Sequence, residues 1–497
     1  MKIVSSQIDI YSFPTAIAEE TADTITIGDL HGNTIKLTYF LFRHGVITFK
    51  QSVKDPARAY EEFVEAYELA GEIAETHVQA HRLVWGRSKD IARHSKTLAK
   101  HATLLAKTSR TAAEESELKR INTDRVNQWL KKAREEHDGA KIELDSCKSQ
   151  LPAVLAAARL FISRLEVARR KTLVRLIGDE LADRGSNDWL TLLVLQVLYR
   201  GKVRVVILIS NHGQEFVSAY ESWVTKKKFE PKNDVVDEQK ISFMGLKLLL
   251  DENLVGMHEL THLVQSVYLP MLRALDYSLH PEGIRIYSHA PIGLEIVRHT
   301  ARAMRVVYKD TTREELARVI DKINIRFAKL VYESASDKCC DTTKINAPNS
   351  MTEKEREAFP LANIIWNRWT GKDDTESARP RTRHGYQVNY VHGHDTYQSQ
   401  FAHVVNLDTA CGKGSRAKRR KDAKDALQII GDASSNERLK KSAQRFLDNH
   451  CIYKSALSNE PALSNRHHKL SDIEAQFKSH ERHQKRLSKK LKSSKKP

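Results

Sequence analysis

Three features of this 497-residue sequence predict an α/β fold with a metal-binding site at the ends of its strands. The first is Thr24–Ile27, a β-branched run that is typical of a short buried strand and leads into Gly-Asp-Leu-His-Gly. The second is a pair of later strands, Leu173–Ile177 and Val203–Ile209, joined by a predicted helix at Asp188–Tyr199 in βαβ order. The third is a long helical stretch, rich in Ala, Glu, Lys and Arg, over residues 55–150.

Each of the first three predicted strands ends in residues that can bind metals or transfer protons. Gly-Asp-x-His-Gly follows the first strand, Gly-Asp-Glu-Leu-Ala-Asp-Arg-Gly the second, and Ser-Asn-His-Gly the third. The carboxyl ends of neighbouring parallel strands meet at one edge of a sheet, where α/β proteins place their ligands. Further short strands are predicted at Ile284–Tyr287, Tyr386–Val391 and His403–Leu407, whereas residues 214–280 read as mainly helical.

The stretch 55–150 predicts an inserted antiparallel helical hairpin. Asp55-Pro56 supplies an N-cap with proline at the first helical position, and apolar residues then recur every seven positions from Val84 to Leu105. Thr111 and Glu114 form a capping box that starts a second helix. We expect the hairpin to end near Pro152, with a separate helix over 154–169. The hairpin is either a partner-binding arm or a spacer that packs on its own domain.

Composition narrows the remaining choices. Five cysteines without a Cys-x-x-Cys pair argue against a zinc finger or a disulfide scaffold. No run of 18 apolar residues and no signal-peptide pattern is present, so we expect a soluble protein without a cleaved leader. Of the net charge of +18, most lies in residues 413–497, which hold 23 Lys and Arg against nine Asp and Glu.

The basic region 413–497 is predicted to be a tail, partly helical or disordered. The strand pattern ends at Gly412, Ala426–Phe446 could form an amphipathic helix, and basic clusters occupy Lys413–Lys424 and Lys485–Lys496. Aromatic residues are sparse among these charges, which leaves little platform for stacking nucleic-acid bases. An anionic surface or partner is the expected target of the tail.

Motifs in residues 24–50 and 165–412, in this order, resemble the phosphoprotein phosphatase branch of the metallophosphoesterases. They are Gly28-Asp-x-His-Gly, Gly178-Asp-x-x-x-Asp-Arg-Gly, Asn211-His212, His289, Arg368 and Gly393-His394, with Asn406-Leu-Asp-Thr-Ala-Cys411 similar to the closing strand of bacterial members. The resemblance implies a calcineurin-like β-sandwich flanked by helices. Its catalytic domain would be discontinuous, with residues 1–50 and 165–412 separated by the hairpin.

The resemblance also implies a role for each motif residue in a centre of two divalent ions. Manganese is the expected metal, with iron or zinc as alternatives, because the donors mix carboxylates, imidazoles and an amide. The implied ligands of the first ion are Asp29 and His31, those of the second are Asn211, His289 and His394, and Asp179 is implied to bridge both. The implied proton donor is His212, which Asp183 orients. Arg184 and Arg368 are implied to bind the phosphate.

Plainer interpretations exist for several of these residues. Asp179 and Asp183 could cap the following helix, His289 could be a packed core histidine, and Arg368 could be a solvated surface residue. His392 competes with His394 as the ligand, although His394 follows a glycine as in the family motif. The family usually has Gly-Asn-His-Glu and His-Gly-Gly, where this chain has Ser-Asn-His-Gly and Ser-His-Ala. Neither departure removes a ligand, so we expect activity.

The predicted function is hydrolysis of phosphomonoesters on proteins by a hydroxide that two metal ions activate. The hairpin and the C-terminal extension resemble the WipA-like and WipB-like bacterial effectors of type IV secretion. That resemblance implies phosphotyrosine proteins as substrates, a location in the host-cell cytoplasm and a host protein bound by the hairpin. The alternatives are a Ser/Thr phosphatase, a dinucleoside polyphosphate hydrolase, and a non-catalytic adaptor that uses the hairpin and the tail.

Overall fold

A computed structural model describes residues 1–459, apart from 15, 227, 232–238, 334–350, 396, 414–415 and 433. The basic cluster Lys485–Lys496 lies outside the described residues. Strands and helices alternate through the described part of the chain, so the α/β class is confirmed. None of the described helices combines the length and apolar character needed to cross a membrane.

Two large sheets and one small one organise the described residues. In chain order the strands are β1 Lys2–Gln7, β2 Thr24–Ile27, β3 Ile47–Phe49, β4 Leu165–Val167, β5 Leu173–Leu176, β6 Arg204–Leu208, β7 Leu272–Arg273, β8 Asp276–His280, β9 Gly283–Tyr287, β10 Thr382–Arg383, β11 Tyr386–His392, β12 Val404–Asn406 and β13 Ile452–Ser458. The first sheet has the order β1-β13-β2-β5-β6-β7, with β2, β5, β6 and β7 parallel. The second has the order β10-β11-β9-β8, with β12 parallel to β11, and β3 pairs with β4.

The main helices cover the sheets or extend from them. They are α1 Thr34–Arg43, α2 Pro56–Ala106, α3 Ala112–Arg120, α4 Thr123–Arg164, α5 Asp188–Arg200, α6 Asn211–Lys226, α7 Ile241–Asp251, α8 Met257–His262, α9 Leu269–Met271, α10 Leu294–Ala303, α11 Arg313–Tyr332, α12 Glu353–Ala358, α13 Pro360–Trp366, α14 Arg416–Gly431 and α15 Glu437–Cys451. A π-helical turn, Leu263–Tyr268, links α8 to α9. The prediction that residues 214–280 are mainly helical is confirmed, with the short strands β7 and β8 at the end of that range.

Apolar and ionic contacts hold the two large sheets together. Side chains of β5 and β6 pack against Tyr287, Val391 and Leu407 from the second sheet. The fully buried Arg175 of β5 donates from Nε to Asp276 Oδ2 of β8 at 2.7 Å. Its guanidinium also lies 3.7 Å from the ring centroid of Tyr287. Because removal of either partner would leave a buried charge uncompensated, this pair sets how the sheets meet.

Helices α2 and α4 are antiparallel, since Arg87 pairs with Glu136 while Glu62 pairs with Arg164. The prediction that Pro152 ends the hairpin is wrong, because α4 continues through Pro152 to Arg164. The expected helix 154–169 likewise ends at Arg164, where β4 begins. Proline removes one backbone donor from a helix. Packing of the turns beyond it against α2, where Phe161 stacks on Phe63 with ring centroids 3.8 Å apart, offsets that loss.

The region after Gly412 is not simply a tail. Strand β13 lies between β1 and β2, so the prediction that strands end at Gly412 is wrong. Tyr453 of β13 is fully buried and stacks on Phe40 of α1. The single helix expected over Ala426–Phe446 is two helices, α14 and α15. Long-range pairing decided this strand, because Ile452–Ser458 has no strong strand signal of its own.

Candidate metal centre

The strand ends of the first sheet bring the predicted ligands to one edge. Asp29 and His31 follow β2, Asp179 follows β5, and Asn211 follows β6. Asp29 and His31 are each 1% exposed, so the centre is buried. Three of its residues have positive φ, namely His31 at 57°, Asp179 at 52° and His394 at 68°. Such left-handed backbone is costly for residues other than glycine and is concentrated at functional sites.

Two groups of side chains in the described part of the chain could hold a metal ion. One is Asp179, His289 and His394, and the other is His31, Asp179 and Asp183. Within each group the potential ligand atoms all lie within 4.8 Å of one another. Asp179 belongs to both groups. The structure therefore brings Asp183 into a possible ligand group, whereas the resemblance assigned it only to orienting His212.

Lone pairs converge on the Nε2 atom of His289. Its Nδ1 lies 3.0 Å from the carbonyl oxygen of Ile177 and donates a hydrogen bond there, so Nε2 carries the lone pair. Nε2 lies 3.1 Å from Asn211 Oδ1, 3.0 Å from His394 Nδ1 and 3.6 Å from Asp179 Oδ1. Several acceptors that face one another in a buried place are the arrangement that a cation stabilises.

A second chain of contacts connects His31, Asp183 and His212. His31 Nε2 donates to the Thr409 carbonyl at 2.8 Å, which leaves its Nδ1 as an acceptor 3.4 Å from Asp183 Oδ2. The other oxygen of Asp183 lies 3.5 Å from His212 Nε2. His212 Nδ1 donates to the Ala182 carbonyl at 2.8 Å. Its Nε2 is thus the ring atom that faces the centre.

Burial and mutual charge shift the titrations of the centre. Burial, together with the charges of Asp408 and Asp179, raises the pKa of Asp29 well above its usual value. Burial lowers the pKa of His289, and burial with the nearby His289 and Arg368 lowers that of His394 well below normal. Burial also opposes a charge on His212, but Asp183 and other carboxylates outweigh it and raise the pKa. The imidazoles of His289 and His394 are therefore neutral, as metal binding requires.

The donor set fits divalent ions. Four buried acceptor atoms of the predicted site residues lack a hydrogen-bond partner among the described residues: Asp29 Oδ1, His31 Nδ1, Asp179 Oδ1 and Asp183 Oδ2. Buried polar atoms of native proteins are nearly always paired, so such a cluster points to ligand atoms of an ion. Carboxylate and imidazole donors together are typical of transition metals.

The two predicted phosphate clamps lie differently. Arg184 is about one-third exposed and donates from its guanidinium to Asp183 Oδ1 at 2.7 Å, directly beside the centre. Arg368 is exposed on the segment after α13, and its charge reaches His394. The rival histidine, His392, faces away from this cluster, because its Nε2 lies 3.3 Å from a guanidinium nitrogen of the buried Arg379.

Three further residues of the site were not predicted. Asp408 Oδ1 lies 3.4 Å from His31 Nε2, and the buried Lys36 donates to the carbonyls of Asp29 and Cys411. Glu215 is 3% exposed and places Oε2 4.0 Å from His212 Nδ1. Asp408 lies two residues after β12, and a polar residue at a strand end is a usable signal in sequence. Lys36 and Glu215 lie inside helices, where their spacing indicates nothing about the site.

A match to the model of a phosphatase domain identifies this chain as an enzyme, a phosphoprotein phosphatase and thus a hydrolase. Residues 173–413 match the family model of the WipA-like phosphatase domain. The chain also resembles the crystal structure of the phosphatase domain from the Legionella effector WipB. That match has a TM-score of 0.53 at 22% identity and covers 75% of this chain and 99% of the other. No curated protein matches the sequence.

Proposed function

We propose that the chain is a metal-dependent protein phosphatase that hydrolyses phosphomonoesters with two divalent ions, manganese being favoured over iron or zinc. The observation that carries the proposal is the position of Asp179 in both potential ligand groups, as expected of a carboxylate that bridges two ions. We further propose that the two packed sheets are a calcineurin-like sandwich. Its catalytic parts are then 1–50 and 165–412, completed by β13.

The proposed ligands divide between the two ions. Asp29 and His31 would hold the first ion, Asp179 would serve both, and Asn211, His289 and His394 would hold the second. When bound, such a pair of ions lowers the pKa of water and neutralises charge on a phosphoryl group. The chain itself keeps the ligands in place, because they are buried and the His289 ring is fixed by the Ile177 carbonyl.

His212 is the proposed proton donor to the leaving oxygen. Its Nδ1 hydrogen is held by the Ala182 carbonyl, so the transferable proton is on Nε2. The charge of Asp183 favours the protonated imidazole against the cost of burial, which keeps that proton available. A phenolate or alkoxide leaving group requires protonation, and a positioned acid raises the rate of such a step by about 10²–10⁴-fold.

Arg184 and Arg368 are the proposed phosphate clamp. A guanidinium fork matches two phosphate oxygens, and Arg184 is already oriented by Asp183. The exposure of Arg368 allows it to approach a substrate at the mouth of the site.

Phosphotyrosine proteins are the proposed substrates, and the chain is proposed to act as a secreted effector on host phosphoproteins in the host-cell cytoplasm. The WipA-like family model supports phosphatase activity, and the likeness to WipB, which is described as a Legionella effector, supports the effector role. The preference for phosphotyrosine rests on the resemblance of the hairpin and C-terminal extension to such effectors. The helical hairpin is the proposed partner-binding element, and the basic C-terminal region is proposed to bind an anionic surface.

A substrate comparison with metal dependence tests the proposal. The metal-stripped protein is reloaded with Mn, Fe or Zn and assayed on a phosphotyrosine peptide, a phosphoserine peptide and diadenosine tetraphosphate. We expect the phosphotyrosine peptide to be hydrolysed fastest, with Mn. Activity on the nucleotide alone would identify a dinucleoside polyphosphate hydrolase, and no activity in a metal-loaded protein would identify an adaptor. His212→Asn should cost at least about 100-fold in kcat while metal content stays unchanged.

A further inference from the structure

The charges of the helical hairpin, which runs from α2 through α3 to α4, are segregated along its length. Residues 81–134, which we call the distal half, hold 14 Lys and Arg against five Asp and Glu. The proximal parts, 56–80 and 135–164, hold five Lys and Arg against 11 Asp and Glu. The first group is thus strongly positive and the second negative. A spacer that merely packs on its own domain requires no such separation.

The distal half also exposes tryptophans beside its cations. Trp85 is 61% and Trp129 45% exposed, although tryptophan is rarely left in water. Lys89 lies 3.3 Å from the centroid of the Trp85 ring, and the Arg125 guanidinium lies 4.5 Å from that of Trp129. Exposed tryptophan and arginine are the residues most enriched at centres of protein interfaces.

A cleft of about 300 Å³ between α2 and α4 has Trp129 in its lining. We call it the cationic cleft, because three basic side chains, Arg87, Arg93 and Lys132, line it beside His94, against the two carboxylates of Asp90 and Glu136. The Arg93 and Lys132 side chains are 68% and 73% exposed, and their ion pairs with Asp90 and Glu136 are surface pairs. Because exposed pairs contribute little free energy, an incoming carboxylate can replace the internal partner.

The base of the hairpin lies against the catalytic loop. Ser186, which lies two residues after Arg184, donates its backbone N–H to the hydroxyl of Tyr67 at 3.1 Å. Arg93 is 26 residues beyond Tyr67 on the same helix, which corresponds to about 39 Å at 1.5 Å per residue. An extended peptide spans that distance with about 12 residues. The negative proximal part lies between, so an acidic chain gains attraction only at the distal half.

We propose that the cationic cleft binds an acidic segment of the phosphoprotein substrate, at least about a dozen residues from the phosphorylated side chain. The inference rests on the proposed function and adds a substrate class: proteins with a phosphosite and a separate acidic tract. The base of the hairpin contacts the Arg184 loop, so a polypeptide that is bound in the cleft can extend along the hairpin to the catalytic centre. This favours a protein substrate over nucleic acid.

Matched peptides test this proposal with the full chain. Each carries one phosphotyrosine and six Glu residues, separated by four or by 14 Gly and Ser residues, and a third peptide has Gln in place of Glu at the longer spacing. At low salt we expect kcat/KM to be about threefold to tenfold higher for the long-spaced Glu peptide than for the Gln peptide. The short-spaced peptide should gain nothing, and 0.5 M salt should abolish the gain.

Two triple variants locate the effect. R93Q/R125Q/K132Q should remove the preference for the Glu peptide. The control variant R200Q/K202Q/R204Q removes three exposed cations around the start of β6, away from the strand ends that hold the site, and should retain that preference. Fluorescence anisotropy of a labelled, unphosphorylated Glu peptide measures the same docking without chemistry. An unchanged preference in the first variant, or equal gain at both spacings, would overturn the proposal.

Hydrolysis of a small aryl phosphate tests the proposed phosphatase activity separately from binding in the cleft. We expect that rate to be equal in both triple variants and in the wild type. If the wild type did not hydrolyse the aryl phosphate, the proposed function would be contradicted. Peptide binding measured by anisotropy would still test whether the cleft binds an acidic segment. Binding of a 20-base-pair duplex or of phosphatidylserine vesicles that the first variant loses, with peptide binding unaffected, would assign the cleft to another ligand and overturn the proposal.

Discussion

His289 Nε2 lies 3.0 Å from His394 Nδ1, although the two residues are 105 positions apart and belong to segments after different strands of the second sheet. Burial lowers the pKa of both rings. Two neutral imidazoles are thus held with lone pairs close together at the Asp179 carboxylate. The metal proposal predicts what happens when either ring is removed.

His394→Ala should lose about one equivalent of bound metal and at least about 100-fold in kcat on a small aryl phosphate. Metal analysis by mass spectrometry and steady-state kinetics check these effects. His392→Gln is the matched control, because His392 contacts Arg379 instead of this cluster. If the His392 variant lost metal and the His394 variant did not, the assignment would be reversed.

Asp408 should support the first ion although it was not among the predicted ligands. Its Oδ1 is buried near His31 and has no hydrogen-bond partner among the described residues. Asp408→Asn preserves shape while removing charge, so we expect about 10–100-fold weaker metal affinity at unchanged melting temperature of the metal-free protein. Isothermal titration with Mn measures the affinity. Equal affinity in the two proteins would show that Asp408 serves packing alone.

Shortening the hairpin should separate substrate choice from chemistry. Replacement of residues 81–143 by a four-residue Gly-Ser loop keeps the proximal turns, whose Tyr60, Phe63, Tyr67 and Phe161 are buried in the core. We expect aryl-phosphate turnover within about twofold of the wild type, because no ligand lies in the hairpin. Deletion of 57–148 should instead prevent folding, since it removes three of those aromatics. Circular dichroism and turnover distinguish the two truncations.

The C-terminal strand should be required for stability. Tyr453 of β13 is fully buried and stacks on Phe40, with ring centroids 4.1 Å apart. Tyr453→Ala should lower the free energy of unfolding by about 3–5 kcal/mol in urea titration. A chain ending at Asn459 should fold, whereas one ending at Cys451 lacks β13 and should aggregate. Equal stability of the two truncated chains would contradict the place of β13 in the sheet.

His44 should make folding sensitive to acid. Burial lowers its pKa from 6.5 to about 4, despite a bond from Nδ1 to the Glu20 carbonyl. Below pH 6.5 the His44 imidazole is protonated in the unfolded chain, whereas in the folded chain it stays neutral down to about pH 4. Stability is therefore fully present above 6.5 and declines toward 4, by about 3 kcal/mol in total.

His44→Gln should remove that part of the pH dependence. Urea titrations at pH 7.5 and 4.5 compare the wild type, this variant and His258→Gln, which removes an exposed histidine. The wild type and the His258 variant should lose the same stability on acidification, and the His44 variant about 2.5 kcal/mol less, because pH 4.5 lies above the folded-state pKa of His44. An unaltered slope in the His44 variant would refute the shift.

The sequence by itself determined the strand-end segments and the order of the candidate ligands. Asp29, Asp179 and Asn211 each follow a β-rich run directly, and that relation is local, so periodicity and turn residues are enough to recognise it. The hairpin helices are also local, because capping and heptad spacing mark their starts and apolar faces.

Only the tertiary structure decided which residues meet. Asp408 reaches His31 across 377 positions, and β13 finds its place between β1 and β2 through backbone hydrogen bonds that no spacing within Ile452–Ser458 announces. The continuity of α4 through Pro152 likewise depends on packing against α2. These outcomes are non-local, because burial and pairing with distant segments, rather than intrinsic propensity, supplied the deciding free energy.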